Sequence, residues 1–221
     1  NERHDQLWIS VKRTINNVTK RYVEFFEDRF PDDADQRDAF FVDSGLTYGP
    51  SSGAATATIT GLSHLEGQNV SVFADGAVRS STTVSSGQIT LVSAASLVHV
   101  GLPYTSSLTT LRLMAGDPQG PSQGKLKRID HVLIRLYRAL GVEVFEGEPP
   151  LAHSGGGEHQ WDDVPFDSSV TPLPLFTGDK VVPLDNAWGL EGRVALRVRT
   201  PVPASVLALG FRVDSSQRGS E

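Results

Sequence analysis

The sequence predicts an all-β protein, and three observations carry that expectation. The 21 Gly and 13 Pro are spread along the 221 residues instead of gathering in a tail, which fits many turns between short strands. Between 59 and 104, short β-branched runs alternate with turn dipeptides and carry almost no charge. A hydrophobic content of 38% is enough for a core, so disorder throughout is excluded. The expected architecture is a β-sandwich-like assembly with a small inserted module, barrel or sandwich, at 51–105. Residues 1–50 form an N-terminal β-hairpin segment, and 106–221 form a C-terminal β domain that packs with 1–50.

Residues 7–26 read as a hairpin. LWISVKRT and TKRYVEFFE are alternating runs that meet around Asn16-Asn17, a pair that tolerates the left-handed region. Trp8, Tyr22 and Phe26 are its cross-strand or core aromatics. Residues 28–38 are acidic and Pro-broken, hence a solvated loop, and the apolar chain resumes at Phe40-Phe41-Val42. Gly49-Pro50-Ser51-Ser52-Gly53 is a linker into the low-charge module. There Val70, Val72 and Ala74 share one strand face, and Asp75-Gly76 is the dipeptide a tight hairpin with positive φ prefers. Thr82 and Val84 restart the pattern, Ser86-Gly87 turns it, and Ile89 with Leu91, then Val98 with Val100, give two more strands.

The module ends after Thr105, and 115–124 (AGDPQGPSQG) is loop by composition. Residues 125–137 (KLKRIDHVLIRLY) are ambiguous. A helix would align Ile129, Val132, Leu133 and Leu136. A strand sets Val132, Ile134 and Leu136 on one face against Leu133, Arg135 and Tyr137 on the other. The strand is preferred, because Gly141 followed by Val142-Glu143-Val144-Phe145 looks like the return arm of a hairpin. Residues 146–177 read mostly as a long loop. RVALRVR at 193–199 and SVLALGFRV at 205–213 flank Pro201 and Pro203 as a last hairpin or edge pair.

Composition excludes several function classes. There is no cysteine, so thiol nucleophiles, thiolate metal sites and disulfides are absent. No apolar run approaches the roughly 20 residues of a membrane helix. Asn1 leads almost directly into a strand pattern, as though cut from a longer polypeptide. A net charge of −6 argues against a dedicated nucleic-acid binder, which needs a cationic surface. Charge is also blocked along the chain: 125–138 is basic, whereas 141–191 holds ten acids against the lone Lys180.

His153, Glu158, His159, Asp162 and Asp163 form the one cluster with metal-ligand chemistry, but the six-residue interval between the histidines fits no tight site, and solvated loop is the commoner reading. No G-x-S-x-G occurs, and Asp43-Ser44-Gly45 with His99 makes a triad only by chance; His99 reads as a packed or edge histidine. Gly49 and Gly53 lack the ending of a P-loop. Asp32, Asp33, Asp35 and Asp38 lack the spacing of a calcium loop. The Asn17 and Asn69 sequons are of a kind frequent by chance. Lys125, Lys127, Arg128, Arg135 and Arg138 do not share a strand face and have no aromatic ladder between them, so a salt-bridge surface is as good a reading as nucleic acid.

Several phrases resemble one family: DQLWISVKRTINNVTKRYVEFFEDRF at 5–30, AFFVDSGLTY at 39–48, ITGLSHLEGQNVSVFADGAV at 59–78, VHVGLPYTSSLTTL at 98–111, and LFTGDKVVPLDNAWGLEGRVALRVRTPVPASVLAL at 175–209. They are similar to the C-terminal portion of tail-tube proteins of short-tailed bacteriophages, the nozzle or tubular protein B type. The resemblance implies a virion structural protein, assembled in the bacterial cytoplasm. It forms a homo-oligomeric ring, sixfold, below the portal adaptor and beside other tail proteins, and DNA passes through its lumen on ejection. It implies no catalysis, no cofactor, no metal, no membrane insertion and no site residues. Two departures stand out: Asn16-Asn17 where Asn-Gly would be usual, and an expanded loop at 152–160. The alternative is a carbohydrate-binding or adhesin-like β module of a phage tail, with Trp161 and Trp188 as its aromatics.

Overall fold

The computed structural model describes residues 5–27, 30, 34–49, 54–114, 116–117, 120–121, 125–147, 158–160, 167–184 and 188–215. Strands make up 59%, and among the described residues no helix reaches seven residues, so the protein is all-β. The chain divides into two compact units. One holds Asn1–Tyr104, Val164–Pro174 and Thr200–Pro203; the other holds Thr105–Asp163, Leu175–Arg199 and Ala204–Glu221.

The first unit begins with β1 (Trp8–Ile15) and β2 (Val18–Phe25), paired in register from Ile15↔Val18 to Trp8↔Phe25. Asn16 and Asn17 turn the chain at φ 49 and 60, left-handed values that asparagine accepts more readily than most residues. Then follow β3 (Asp43–Tyr48), β4 (Thr56–Thr60), β5 (Asn69–Ala74), β6 (Ala77–Thr83), β7 (Gln88–Ala95) and β8 (Val98–Leu102). Four of them make a sheet in the order β3-β8-β5-β6, and β4 pairs with β7.

Alternation buries one face of β4 and β7, while β5 and β8 are also buried on the opposite face at Phe73 and His99. Val70, Val72 and Ala74 of β5, Val98 and Val100 of β8, Ile59 of β4, and Ile89 and Leu91 of β7 join Leu62 and Leu65 in one core. Both sheets feed that core, as in a small sandwich. The expected turns are in place: Asp75 and Gly76 at φ 49 and 80, Ser86 and Gly87 at φ 55 and 68. Gly76 is also required by space, since a Cβ there would lie 2.4 Å from Cβ of Pro172.

Segment 1–50 was expected to belong with 106–221. Instead β3 is hydrogen-bonded to β8 through Leu46↔Val100 and Tyr48↔Val98, and 1–104 cluster together. Close approach accounts for the pairing: a Cβ on Gly101 would come within 2.7 Å of the Asp43 carbonyl oxygen and of Cα of Gly45. The distant segment 167–174 also belongs to this unit and lies along β6. Asp167 N–H donates to the Val78 carbonyl (3.0 Å), Leu173 N–H to the Gly76 carbonyl (3.0 Å), and Ser80 N–H to the Asp167 carboxylate (3.2 Å).

The second unit contains β9 (Ser106–Thr109), the short pair β10 (Gly116–Asp117) and β11 (Gly120–Pro121), β12 (Lys127–Ala139), β13 (Glu143–Glu146), β14 (Glu158–Gln160), β15 (Phe176–Pro183), β16 (Val194–Val198) and β17 (Ser205–Ser215). They form sheets in the orders β15-β12-β17 and β14-β13-β16-β9. The ambiguous segment is a strand: Val132, Ile134 and Leu136 of β12 are at most 1% exposed, while Leu133 is 41% exposed. With Val142, Val144, Val182, Val194 and Leu196 they make the second core.

Two sequence expectations fail here. Residues 142–145 are not the return arm of β12, because β13 pairs with β14 and β16. At Arg138 the backbone takes φ 46 and the β12–β15 ladder shifts register between Leu136 and Ala139, so a bulge breaks the strand before Gly141. Nor do 193–199 and 205–213 form a last hairpin. β16 pairs with β13 and β9, whereas β17 pairs with β12. The link between them, Thr200–Pro203, belongs to the first unit and buries Val202 instead of making a tight turn.

Candidate functional site

The polar side chains of the first unit are occupied in holding strands together. His99 of β8 is 4% exposed. Its Nε2 faces the Arg37 carbonyl at 2.8 Å and its Nδ1 the Thr47 hydroxyl at 2.8 Å. A carbonyl only accepts, so Nε2 carries the proton and Nδ1 accepts from Thr47. Phe40 meets the ring edge-on with centroids 5.5 Å apart. Burial holds the imidazole pKa below its ordinary value, so the group is a neutral structural tie.

The residues considered with His99 as a triad have other partners. Ser44 Oγ donates to Glu24 Oε1 (3.1 Å), and Asp43 receives Arg13. Arg13 is the centre of that cluster. Its guanidinium reaches Glu24 at 2.9 and 2.7 Å and Asp43 at 2.9 and 2.8 Å, two bidentate pairs that clamp β1, β2 and β3. Hydrogen bonding to Arg13 holds the Glu24 carboxyl below the usual carboxylate range.

The second unit has a more deeply buried ionic centre, which the sequence reading missed. In the register of β13 and β16, Glu143 lies opposite Arg197, and their side chains are 6% and 5% exposed. Arg197 Nε donates to Glu143 Oε2 at 2.6 Å, and Arg199 Nε donates to Oε1 at 2.9 Å. The Arg197 guanidinium lies over the Phe145 ring, 4.4 Å from its centroid. The i, i+2 spacing of Arg197 and Arg199 marks a shared strand face, but nothing local announces Glu143 as their partner.

Beside this centre is a groove of about 450 Å³. Its walls include Ser106, Ser107 and Leu108 of β9, Leu196 and Arg197 of β16, and Val206 to Leu209 of β17. β9 and β17 are the end strands of their two sheets, so the groove lies where two strand edges meet. Its rim is apolar and open: Leu108 is 53% exposed, Val206 39% and Leu207 61%. A second exposed apolar surface is on the β1–β2 hairpin, where Trp8 and Phe25 stand with ring centroids 5.1 Å apart and are 57% and 43% exposed.

The other sequence candidates do not converge. His153, Asp162 and Asp163 lie outside the described residues, and Glu158 and His159 are placed only as backbone on β14, opposite Phe145 and Val144. Among the described residues no group of three or more metal-ligating side chains gathers. Asp32 and Asp33 are also outside them, while Asp35 accepts from the Arg37 backbone (3.0 Å) and pairs with its guanidinium. Within the basic run, Lys127 is 4% exposed and directs Nζ to the Leu190 carbonyl (3.5 Å), while Arg135 pairs with Asp179 at 2.7 Å. Those two cations are therefore not part of one cationic face. Trp188 is 45% exposed and Trp161 lies outside the described residues. No family model matches the chain, and no curated protein is significantly similar to it.

Proposed function

We propose that this chain is a structural subunit of a bacteriophage tail tube or nozzle, a homo-oligomeric ring below the portal adaptor that lines the conduit for DNA ejection. The observation that carries the reading is apolar strand surface left open in an all-β chain. Trp8, Phe25 and Phe26 on the hairpin, with Leu108 and Leu207 at the groove, are 43% to 61% exposed, a pattern that marks interaction surfaces. The sequence phrases supply the choice of family. A net charge of −6 suits a lumen that does not hold phosphates. Sedimentation of the purified chain over a range of concentrations, followed by imaging of virions, tests the reading. Discrete rings and density along the tail tube are expected; a strict monomer absent from the tail would sink it. Exposed Trp188 favours the second reading, an adhesin-like module, and specific hits on a glycan array are its readout.

A further inference from the structure

The β1–β2 hairpin has two unlike faces. Ile15 enters the first core, Arg13 holds Glu24 and Asp43, and the Tyr22 ring meets His64 edge-on, so one face is fixed against the first unit. Alternating burial along β1 turns Trp8, Ser10, Lys12 and Thr14 the other way, and the register sets them opposite Phe25, Val23, Arg21 and Thr19. Outward, the hairpin therefore presents an aromatic pair, a valine that is 73% exposed, a cation pair and a threonine pair, in that order towards the turn.

Charge sets this face apart from the rest of the chain. From Gln6 to Val23 there are four cations and no acid, in a protein whose net charge is −6. Exposed arginines elsewhere sit on carboxylates: Arg37, Arg112, Arg135 and Arg212 each lie within 3.2 Å of one. Lys12, Lys20 and Arg21 have no such partner among the described residues. Lys12 and Arg21 stand directly opposite each other, an arrangement that costs stability until something anionic lies across them. Neither the uncharged strand β7 nor the groove has this combination, since the one charged group lining the groove, Arg197, is bonded to Glu143. We propose that the outward face of the hairpin binds the surface of an anionic membrane, lying on it without crossing.

Three observations favour lipid over other anionic partners. The exposed apolar side chains of the hairpin and its open end, Leu7, Trp8, Val23, Phe25 and Phe26, outnumber the cations, whereas nucleic acid is held mainly through its phosphates. Trp8 and Phe25 lean on each other at 42°, which is not the open platform on which bases stack. A Lys–Arg pair in the middle of the face is out of place in a protein interface, whose centre is depleted of lysine and of charge. At a lipid surface the same mixture is ordinary. Tryptophan sits at headgroup depth, lysine and arginine reach anionic headgroups, and their stems lie along apolar surface. Asp5 and Glu27 are exposed just beyond the apolar end, so the hairpin rests flat instead of entering end-on. A single chain carries the whole face, and the inference does not depend on the ring reading.

Co-sedimentation of the purified chain with vesicles tests this. Partition onto vesicles of equal parts phosphatidylcholine and phosphatidylglycerol is expected to exceed that onto phosphatidylcholine alone by at least about tenfold in low salt, and to fall as salt is added. Lys12→Gln combined with Arg21→Gln should lower the partition at least about tenfold, and Trp8→Ala about tenfold. Arg112→Gln combined with Arg135→Gln makes the same change in net charge at exposed, already paired cations and should leave it unchanged. All of these side chains are exposed, and an unaltered melting temperature verifies that the variants fold. Absence of partition, equal partition onto both vesicles, or equal losses in the two double variants would overturn the inference. Tighter binding to a single-stranded oligonucleotide or to polyglutamate than to the anionic vesicles would assign the face to that partner and overturn it as well.

Discussion

In the first unit, β5 turns directly into β6 at Asp75-Gly76 and β1 into β2 at Asn16-Asn17, and the core is filled mainly from β4, β5, β7 and β8. In the second, β12 is flanked by strands far along the chain, with Arg135 opposite Asp179 on one side and Leu133 opposite Gly210 on the other. The difference extends to the ionic clusters. Arg13 clamps three strands in a cluster whose side chains are 18% to 46% exposed, whereas Glu143 and Arg197 are nearly sealed between β13 and β16. Strands joined by local turns need a clamp only where the hairpin meets the sheet. Strands brought together from afar have their register fixed by what is buried between them.

The largest test of that contrast is removal of one buried charge. Glu143→Ala leaves Arg197 buried without its carboxylate and is expected to cost about 3–5 kcal/mol in urea-unfolding free energy. Arg13→Ala, at a site where Arg13, Glu24 and Asp43 are 18%, 20% and 46% exposed, should cost less, about 1–2 kcal/mol, and less still in high salt. Equal losses would erase the distinction.

Acid should act on the first unit before any carboxylate is protonated. The folded pKa of His99 is depressed by burial, so its contribution is complete above the ordinary value of 6.5 and is lost as pH falls from there towards the folded value. Glu24, also depressed but as a carboxylate held by Arg13, contributes fully above its ordinary 4.5 and is lost as pH falls through its lower folded value. The melting temperature is therefore expected to decline as pH falls below 6.5, and His99→Gln should flatten that decline while leaving the step at lower pH.

The smallest effect expected is a gain. Asn17 sits at φ 60, a value glycine adopts without strain, so Asn17→Gly should raise stability by about 0.5 kcal/mol, read as a shift in the thermal midpoint. A loss would mean the asparagine side chain does more than tolerate the turn.

Much of the fold is legible in local pattern. Asn16-Asn17, Asp75-Gly76 and Ser86-Gly87 mark turns by residue type, and alternation at 88–91 and 132–136 separates buried from exposed faces before any partner is known, whereas at 70–74 and 98–100 Phe73 and His99 are buried too. The groove is not legible that way. Leu207 reads in sequence like Leu209, two residues along the same strand, yet one is 61% exposed and the other packs on the core. Glu143 reads like any surface acid until Arg197 is set across from it.

The sequence by itself therefore determined the all-β class, the hairpin turns and which side of each strand is apolar, because turn dihedrals and the two-residue period of a strand depend on neighbouring residues. Only the tertiary structure decided which strands pair, that β12 lies between β15 and β17, that Glu143 is buried with two arginines, and that β17 ends its sheet among the described strands. Pairing across long stretches of chain is chosen by the packing of whole faces and the closure of the intervening loops, and no short window of residues contains that information.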